Sequence, residues 1–135
     1  MPRQLALRGV TFTDTRLMGV DFSDLAPLPD VRFDKCDLRY SSFVKLRLRG
    51  TKLTGCLARE ANFIEVDLTE VDFTGTDLQG ANWQGCTLMK TNFARSIGVL
   101  FDPQKNRVKG ARLGIEAAVA LVHSLGIVVE EFETP

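Results

Sequence analysis

The sequence predicts a solenoid of short stacked coils, and three regularities in its side chains predict it. From Glu60 to Phe93 nearly every fifth residue is large and apolar: Phe63, Leu68, Phe73, Leu78, Trp83, Leu88 and Phe93. The residue two before each is small: Ala61, Val66, Val71, Thr76, Ala81, Cys86 and Thr91. The large residues also alternate between Leu and an aromatic ring. A period of five is neither the 3.6 of a helix nor the 2 of a ladder strand. A fixed short repeat is the signature of a solenoid.

Taken from the N-terminus, the centres run Leu7, Phe12, Leu17, Phe22, Leu28, Phe33, Leu38, Phe43, Leu48, Leu53 and Ala58 before joining the stretch above. The spacing is five except once, where Phe22 to Leu28 is six residues across a run containing Pro27 and Pro29. A turn absorbs one added residue, and Pro pre-sets its geometry. Only Leu53 and Ala58 break the alternation, and Leu57 is the neighbour expected to turn inward and restore the lost volume. Like shapes stack best when a coil holds an even number of repeats. Two per coil leave no room for rings on the axis; four and six both remain open.

The small position is never charged from Leu5 to Thr91, and Cys36, Cys56 and Cys86 all belong to it. It is expected to face inward beside the large residue. Asp or Asn stands immediately before many centres, and Gly9, Gly19, Gly50, Gly55, Gly75, Gly80 and Gly85 stand two after. Glycine there marks a corner, since it takes positive φ without a Cβ clash. Each five-residue unit is one short side and one corner.

With Ala61-Asn62-Phe63, Val66-Asp67-Leu68, Val71-Asp72-Phe73, Thr76-Asp77-Leu78 and Ala81-Asn82-Trp83, the pattern resembles the pentapeptide-repeat family. That resemblance implies an all-β fold, a right-handed quadrilateral parallel β-helix with four units per coil. A coil of that kind puts Phe12, Phe33, Leu53, Phe73 and Phe93 in one column and Phe22, Phe43, Phe63 and Trp83 in the opposite one. The expected core stack is therefore Phe12, Phe22, Phe33, Phe43, Phe63, Phe73, Trp83 and Phe93. It also stacks Cys36 on Cys56, and in a reducing compartment buried neighbouring thiols are expected to stay reduced.

Beyond Gly98 the repeat fades, which divides the chain into a repeat body, 1–97, and a closing segment, 98–135. Phe101-Asp102-Pro103 is a turn signal, and Gly110 to Gly114 looks like one detached unit. A helix is expected over Ile115 to Leu125, stopped by Gly126, with Ile115, Val119, Val122 and Leu125 on one face. Ile127 to Val129 reads as a short strand. This helix-and-strand cap either closes the last coil of a monomer or joins two solenoids end to end, because an open coil exposes core and strand edges. The resemblance implies the second, a homodimer through Ile115, Val119, Val122, Leu125, Ile127 and Val129.

Lys plus Arg equals Asp plus Glu at 17 each in 135 residues, so no one-signed field favours nucleic acid or an acidic membrane. No apolar run has the length to span a bilayer, and the first residues lack a secretory h-region, so a cytoplasmic location is expected. His123 is the only histidine and has no nucleophile or acid at a catalytic spacing; no glycine-rich phosphate loop is present. No enzyme, cofactor or metal site is expected.

Charge is nonetheless segregated. Asp30 to Arg59 is mainly basic, and Glu60 to Gly80 holds six acidic residues and no basic one. A twenty-residue step would set Arg47 by Asp67, Lys52 by Asp72 and Lys45 by Glu65, preventing like-charge ladders. Tyr40, Val44 and Ile64 form an outward apolar patch where a partner could dock. The function expected is that of a rigid, non-enzymatic protein-protein interaction module. The family resemblance supplies the alternative: a DNA-mimic protein that binds DNA gyrase or another type II topoisomerase, as quinolone-resistance members do.

Overall fold

The computed structural model describes residues 9–25 and 30–130. Leu5, Leu7, the turn through Pro27, Leu28 and Pro29, and the tail beyond 130 lie outside the described residues.

The chain winds into a four-sided parallel β-solenoid of about five turns with one short C-terminal helix. Its strands are β1 (Val10–Thr13), β2 (Val31–Asp34), β3 (Ser42–Val44), β4 (Leu53–Thr54), β5 (Asn62–Ile64), β6 (Asn82–Gln84), β7 (Asn92–Phe93) and β8 (Arg112–Leu113), followed by α1 (Ile115–Ser124). They form three parallel sheets, ordered β1-β2-β4, β3-β5-β6 and β7-β8. Phe43 lies opposite Phe63 and Phe63 opposite Trp83, so each coil advances twenty residues, or four five-residue units. The other two walls are held by single bridges, Arg47 to Asp67 to Thr87 to Arg107 on one and Asp37 to Leu57 to Asp77 to Ile97 on the other. The first step is one residue longer, since Phe12 lies opposite Phe33 and Asp21 opposite Ser42. Parallel pairing continues past residue 97 as far as Leu113, which lies opposite Phe93.

Two columns of rings fill the axis. Phe22 stacks on Phe43 at 4.8 Å, Phe43 on Phe63 at 5.1 Å and Phe63 on Trp83 at 4.6 Å, all within 12° of parallel. In the opposite column Phe12 stacks on Phe33 and Phe73 on Phe93, and the columns meet edge to face, as between Phe63 and Phe73 at 85°. Each fully buried Phe contributes roughly 1.5–3 kcal/mol through removal from water. Phe12, in the first described coil, is half-buried; the other expected core rings are buried.

The corners follow from backbone chemistry. The residue two after the centre has positive φ at glycines such as Gly75 (72°) and at non-glycines such as Lys35 (54°), Glu65 (52°) and Lys90 (55°). The polar residue before the centre steadies the same corner. Asp67, Asp72, Asp77 and Asn92 each accept the backbone N–H two residues on, at 2.9–3.1 Å. This is an Asx turn, and it accounts for Asp and Asn at that position.

Three expectations are corrected. Leu57 stays outward and half-buried in its bridge between Asp37 and Asp77, and does not refill the space beside Ala58. The face of α1 that meets the core is Ala117 with Leu121, while Ile115 and Leu125 are 76% and 53% exposed. The helix starts two residues after the last inward Leu113, so the side chains one and two turns in are those turned toward the open coil. The strand expected over Ile127 to Val129 is not formed. Gly126, at φ 81°, donates to the His123 carbonyl and Ile127 to that of Val122. This Schellman ending turns the chain away from any ladder among the described residues.

Candidate functional site

Because inward side chains alternate with outward ones along each short strand, every wall presents two residues per coil. The wall of β3, β5 and β6 presents Ser42 and Val44, then Asn62 and Ile64, then Asn82 and Gln84. None of these six carries a charge, though Asp21, opposite Ser42 in the coil below, does. Val44 lies directly opposite Ile64, both half-buried, and Tyr40 stands 55% exposed at the preceding corner. Asn62 donates to the Ser42 hydroxyl at 3.5 Å, tying adjacent coils across the wall. Sequence reading singled out Tyr40, Val44 and Ile64 but not the uncharged Ser42, Asn62, Asn82 and Gln84 around them as part of a patch. Their signal was Asn standing before the centre at 62 and 82.

Charge gathers at the corners and on the other walls, where it is largely matched between coils. Lys45 meets Glu65 at 4.0 Å, Arg49 meets Asp67 at 3.6 Å and Arg59 meets Asp77 at 2.7 Å. Arg47 and Lys52 lie opposite Asp67 and Asp72 as expected, but neither forms an ion pair with them; Arg49 takes Asp67 instead. Within one coil, Arg39 holds Asp37 at 2.7 Å, and that hydrogen bond lowers the Asp37 pKa. The Ser23 hydroxyl and backbone N–H lower that of Asp21.

The small inward residues are also hydrogen-bond donors. Thr76, Thr91 and Ser96 donate their hydroxyls to the carbonyls of Leu53, Leu68 and Phe73, the centres one coil below. Cys36, Cys56 and Cys86 are free, buried thiols at equivalent positions, and the Cys86 sulfur lies 3.1 Å from the Phe63 carbonyl oxygen. Burial pushes the Cys56 thiol up to about 12 and raises that of Cys86. Nucleophiles need the opposite shift.

His123 lies exposed in the last turn of α1. Among the described residues no group of three His, Cys, Asp or Glu side chains could hold a metal ion, and no helix is long and apolar enough to cross a membrane.

A family model described as the pentapeptide repeat region matches residues 26–97. The chain belongs to the pentapeptide-repeat family. No curated protein matches it. Among solved structures it is similar to a trypsin-treated form of QnrB1, a plasmid-mediated fluoroquinolone resistance protein, at 19% identity and TM-score 0.49, over 93% of this chain and 82% of that one. It is also similar to Rfr23, a pentapeptide repeat protein of the cyanobacterium Cyanothece 51142, at 17% identity and TM-score 0.44, over 75% and 85% of the two chains. A pentapeptide repeat protein from the Arabidopsis thaliana thylakoid lumen has 22% identity and TM-score 0.46, over 82% and 76%.

Proposed function

We propose that this pentapeptide-repeat chain is a non-enzymatic interaction scaffold that docks a protein partner on the wall of β3, β5 and β6. The observation that carries this reading is the run of six uncharged outward residues, Ser42, Val44, Asn62, Ile64, Asn82 and Gln84, in a chain that is 25% charged. Surface depleted of charge and held flat by a rigid core is what the centre of a protein interface requires. Tyr40 beside it supplies an aromatic side chain of the kind that anchors such interfaces.

A photo-crosslinker placed at Ile64 tests the reading against one placed at Arg47 on another wall. The expected outcome is one partner captured from position 64 and not from 47, and lost when Val44→Glu is added. Equal capture from both walls, or none from 64, would reject it.

The closing segment, 98–135, is proposed to serve self-association as well. Ile115 at the start of α1 and Leu125, Ile127 and Val128 beyond its end are exposed apolar side chains, with Ile115 and Val128 each 76% exposed. The topoisomerase reading is weaker. QnrB1 is a fluoroquinolone resistance protein, and a DNA-mimic reading needs a continuous acidic surface, whereas here the acidic coil is matched by the basic one beneath it through Lys45–Glu65, Arg49–Asp67 and Arg59–Asp77.

A further inference from the structure

The last coil ends in an unfinished edge. On the wall built around Leu48, Leu68 and Leu88, successive coils are joined by the same three backbone bonds. Thr87 donates to the Val66 carbonyl, Leu68 to that of Thr87 and Glu70 to that of Met89, at 2.8–3.0 Å. One coil higher Arg107 donates to the Cys86 carbonyl, Leu88 to that of Arg107 and Lys90 to that of Lys109, at 2.6–3.0 Å. The next step would use the Asn106 carbonyl and the N–H groups of Val108 and Gly110. None of the three has a hydrogen-bond partner among the described residues. No backbone group of α1 or of residues 125–130 bonds to them; α1 contacts β8, and its end, at Ser124 and Leu125, shares a cleft with Asp102, Pro103 and Gln104.

The edge is basic. Lys105, Arg107 and Lys109 are exposed at alternate positions, and Lys90 is exposed at the corner one coil below. Alternate residues on an extended chain project from one face about 6.6 Å apart. None of these cations is in an ion pair among the described residues. From Gly85 to Gly114 the only acidic residue is Asp102. Lower on the same wall the equivalent pair, Arg47 and Arg49, is covered by a coil that sets Asp67 opposite Arg47 and in an ion pair with Arg49 at 3.6 Å.

We propose that residues 106–110 are a docking edge for an extended acidic segment of a partner protein, added as the next parallel rung with carboxylates over Arg107 and Lys109. The residue over Arg107 donates its N–H to the Asn106 carbonyl and accepts from Val108; the carbonyl two residues on accepts from Gly110. Backbone pairing supplies the affinity and the alternate side chains the choice of partner. A nucleic-acid strand would meet the cations, but its phosphates have no donor for the Asn106 carbonyl. This surface is separate from the β3-β5-β6 wall, so either reading can fail alone.

The test uses the full chain and a fluorescent peptide alternating Glu with Val, followed by anisotropy and by amide exchange. Binding is expected to weaken with salt and to slow exchange at Val108 and Gly110. The double substitution Arg107→Glu and Lys109→Glu is expected to weaken it at least about tenfold, a change of about 1.4 kcal/mol. Both side chains are exposed, and an unchanged far-ultraviolet circular dichroism spectrum checks the fold. N-methylation of the peptide residue over Arg107 should weaken binding without touching the protein. Equal binding of a Lys-Val peptide, tighter binding of single-stranded DNA, unslowed exchange, or full binding by the double variant would overturn the proposal. So would binding that appears only after residues 131–135 are removed, since Glu131 and Glu133 share the required alternation and the chain's own tail would then be the occupant.

Discussion

The Thr76 hydroxyl donates to the Leu53 carbonyl at 2.5 Å and lies 3.2 Å from the Cys56 backbone nitrogen as its acceptor, joining two coils inside the core. Both residues are fully buried, so neither group freed by removing the hydroxyl can reach water. Thr76→Val keeps the shape and removes the hydroxyl. It is expected to lower stability by about 1–3 kcal/mol, the penalty for an unsatisfied buried polar group, read as a shift in the urea midpoint. Thr76→Cys should lose less, because cysteine occupies the equivalent positions 36 and 56. An unchanged midpoint in Thr76→Val would contradict the role given to this bond.

The ring columns tolerate no charge. Phe43 and Phe73 are fully buried between rings and leucines, so Phe43→Lys or Phe73→Lys would bury an unpaired ammonium at a cost of several kcal/mol. Both variants are expected to be unfolded by circular dichroism at room temperature. Lys45→Ala breaks only a 4.0 Å pair between exposed side chains. Exposed pairs contribute about 0–1 kcal/mol, and that variant should unfold with the parent.

The period of five made the core legible, because a solenoid's interior is one-dimensional and each coil repeats the same problem. Phe33, Phe43, Phe63 and Phe73 could be placed from spacing alone. The hydrogen bond from Thr76 to Leu53 could not, since it joins residues 23 apart and needs the coil's backbone path. Helix α1 was misread for another reason: Ile115, Ala117, Ala118, Val119, Ala120, Leu121 and Val122 surround it with apolar groups, so periodicity could not choose Ala117 and Leu121. Register put Asp67 opposite Arg47, yet the ion pair is made by Arg49, two residues on along the same wall. The uncharged wall was half legible, its apolar pair visible and its Asn and Gln neighbours passed over as ordinary repeat positions.

The thiols give a pH dependence with a definite sign. Burial raises the Cys56 thiol to about 12 and also raises Cys86. An unfolded cysteine ionises near about 8.5. Between those values the unfolded chain releases protons that the folded chain keeps, so stability is full below about 8.5 and falls as pH rises toward 12. Replacing Cys56 and Cys86 with Ala should flatten this alkaline decline in chemical denaturation. Ellman's reagent should react with the native protein only as fast as it unfolds; rapid full reaction at neutral pH would mean the thiols are accessible.

The exposed apolar side chains Leu125, Ile127 and Val128 beyond the end of α1 predict association. Light scattering on the purified chain is expected to give about twice its 15.0 kDa mass. Val128, 76% exposed, should tolerate Lys in a monomer but block the joined state, so Val128→Lys is expected to halve the measured mass. A parent protein of 15.0 kDa in solution would end the dimer reading and leave α1 as a simple closure of the last coil.

Charge distribution bears most directly on the topoisomerase reading. A protein that imitates duplex DNA must present dense negative charge along its length, since duplex DNA carries one charge per about 1.7 Å of axis. Here Glu60, Glu65, Asp67, Glu70, Asp72 and Asp77 lie in a single coil, with Lys45, Arg49 and Arg59 reaching three of them from below. Above them, Lys90, Arg107 and Lys109 turn the wall basic again. The expected outcome of a gyrase supercoiling assay, with and without ciprofloxacin, is neither inhibition nor protection at micromolar protein. Inhibition that disappears on combining Glu65→Lys, Asp67→Lys and Glu70→Lys would reverse this ranking and make the acidic coil, not the uncharged wall, the working surface.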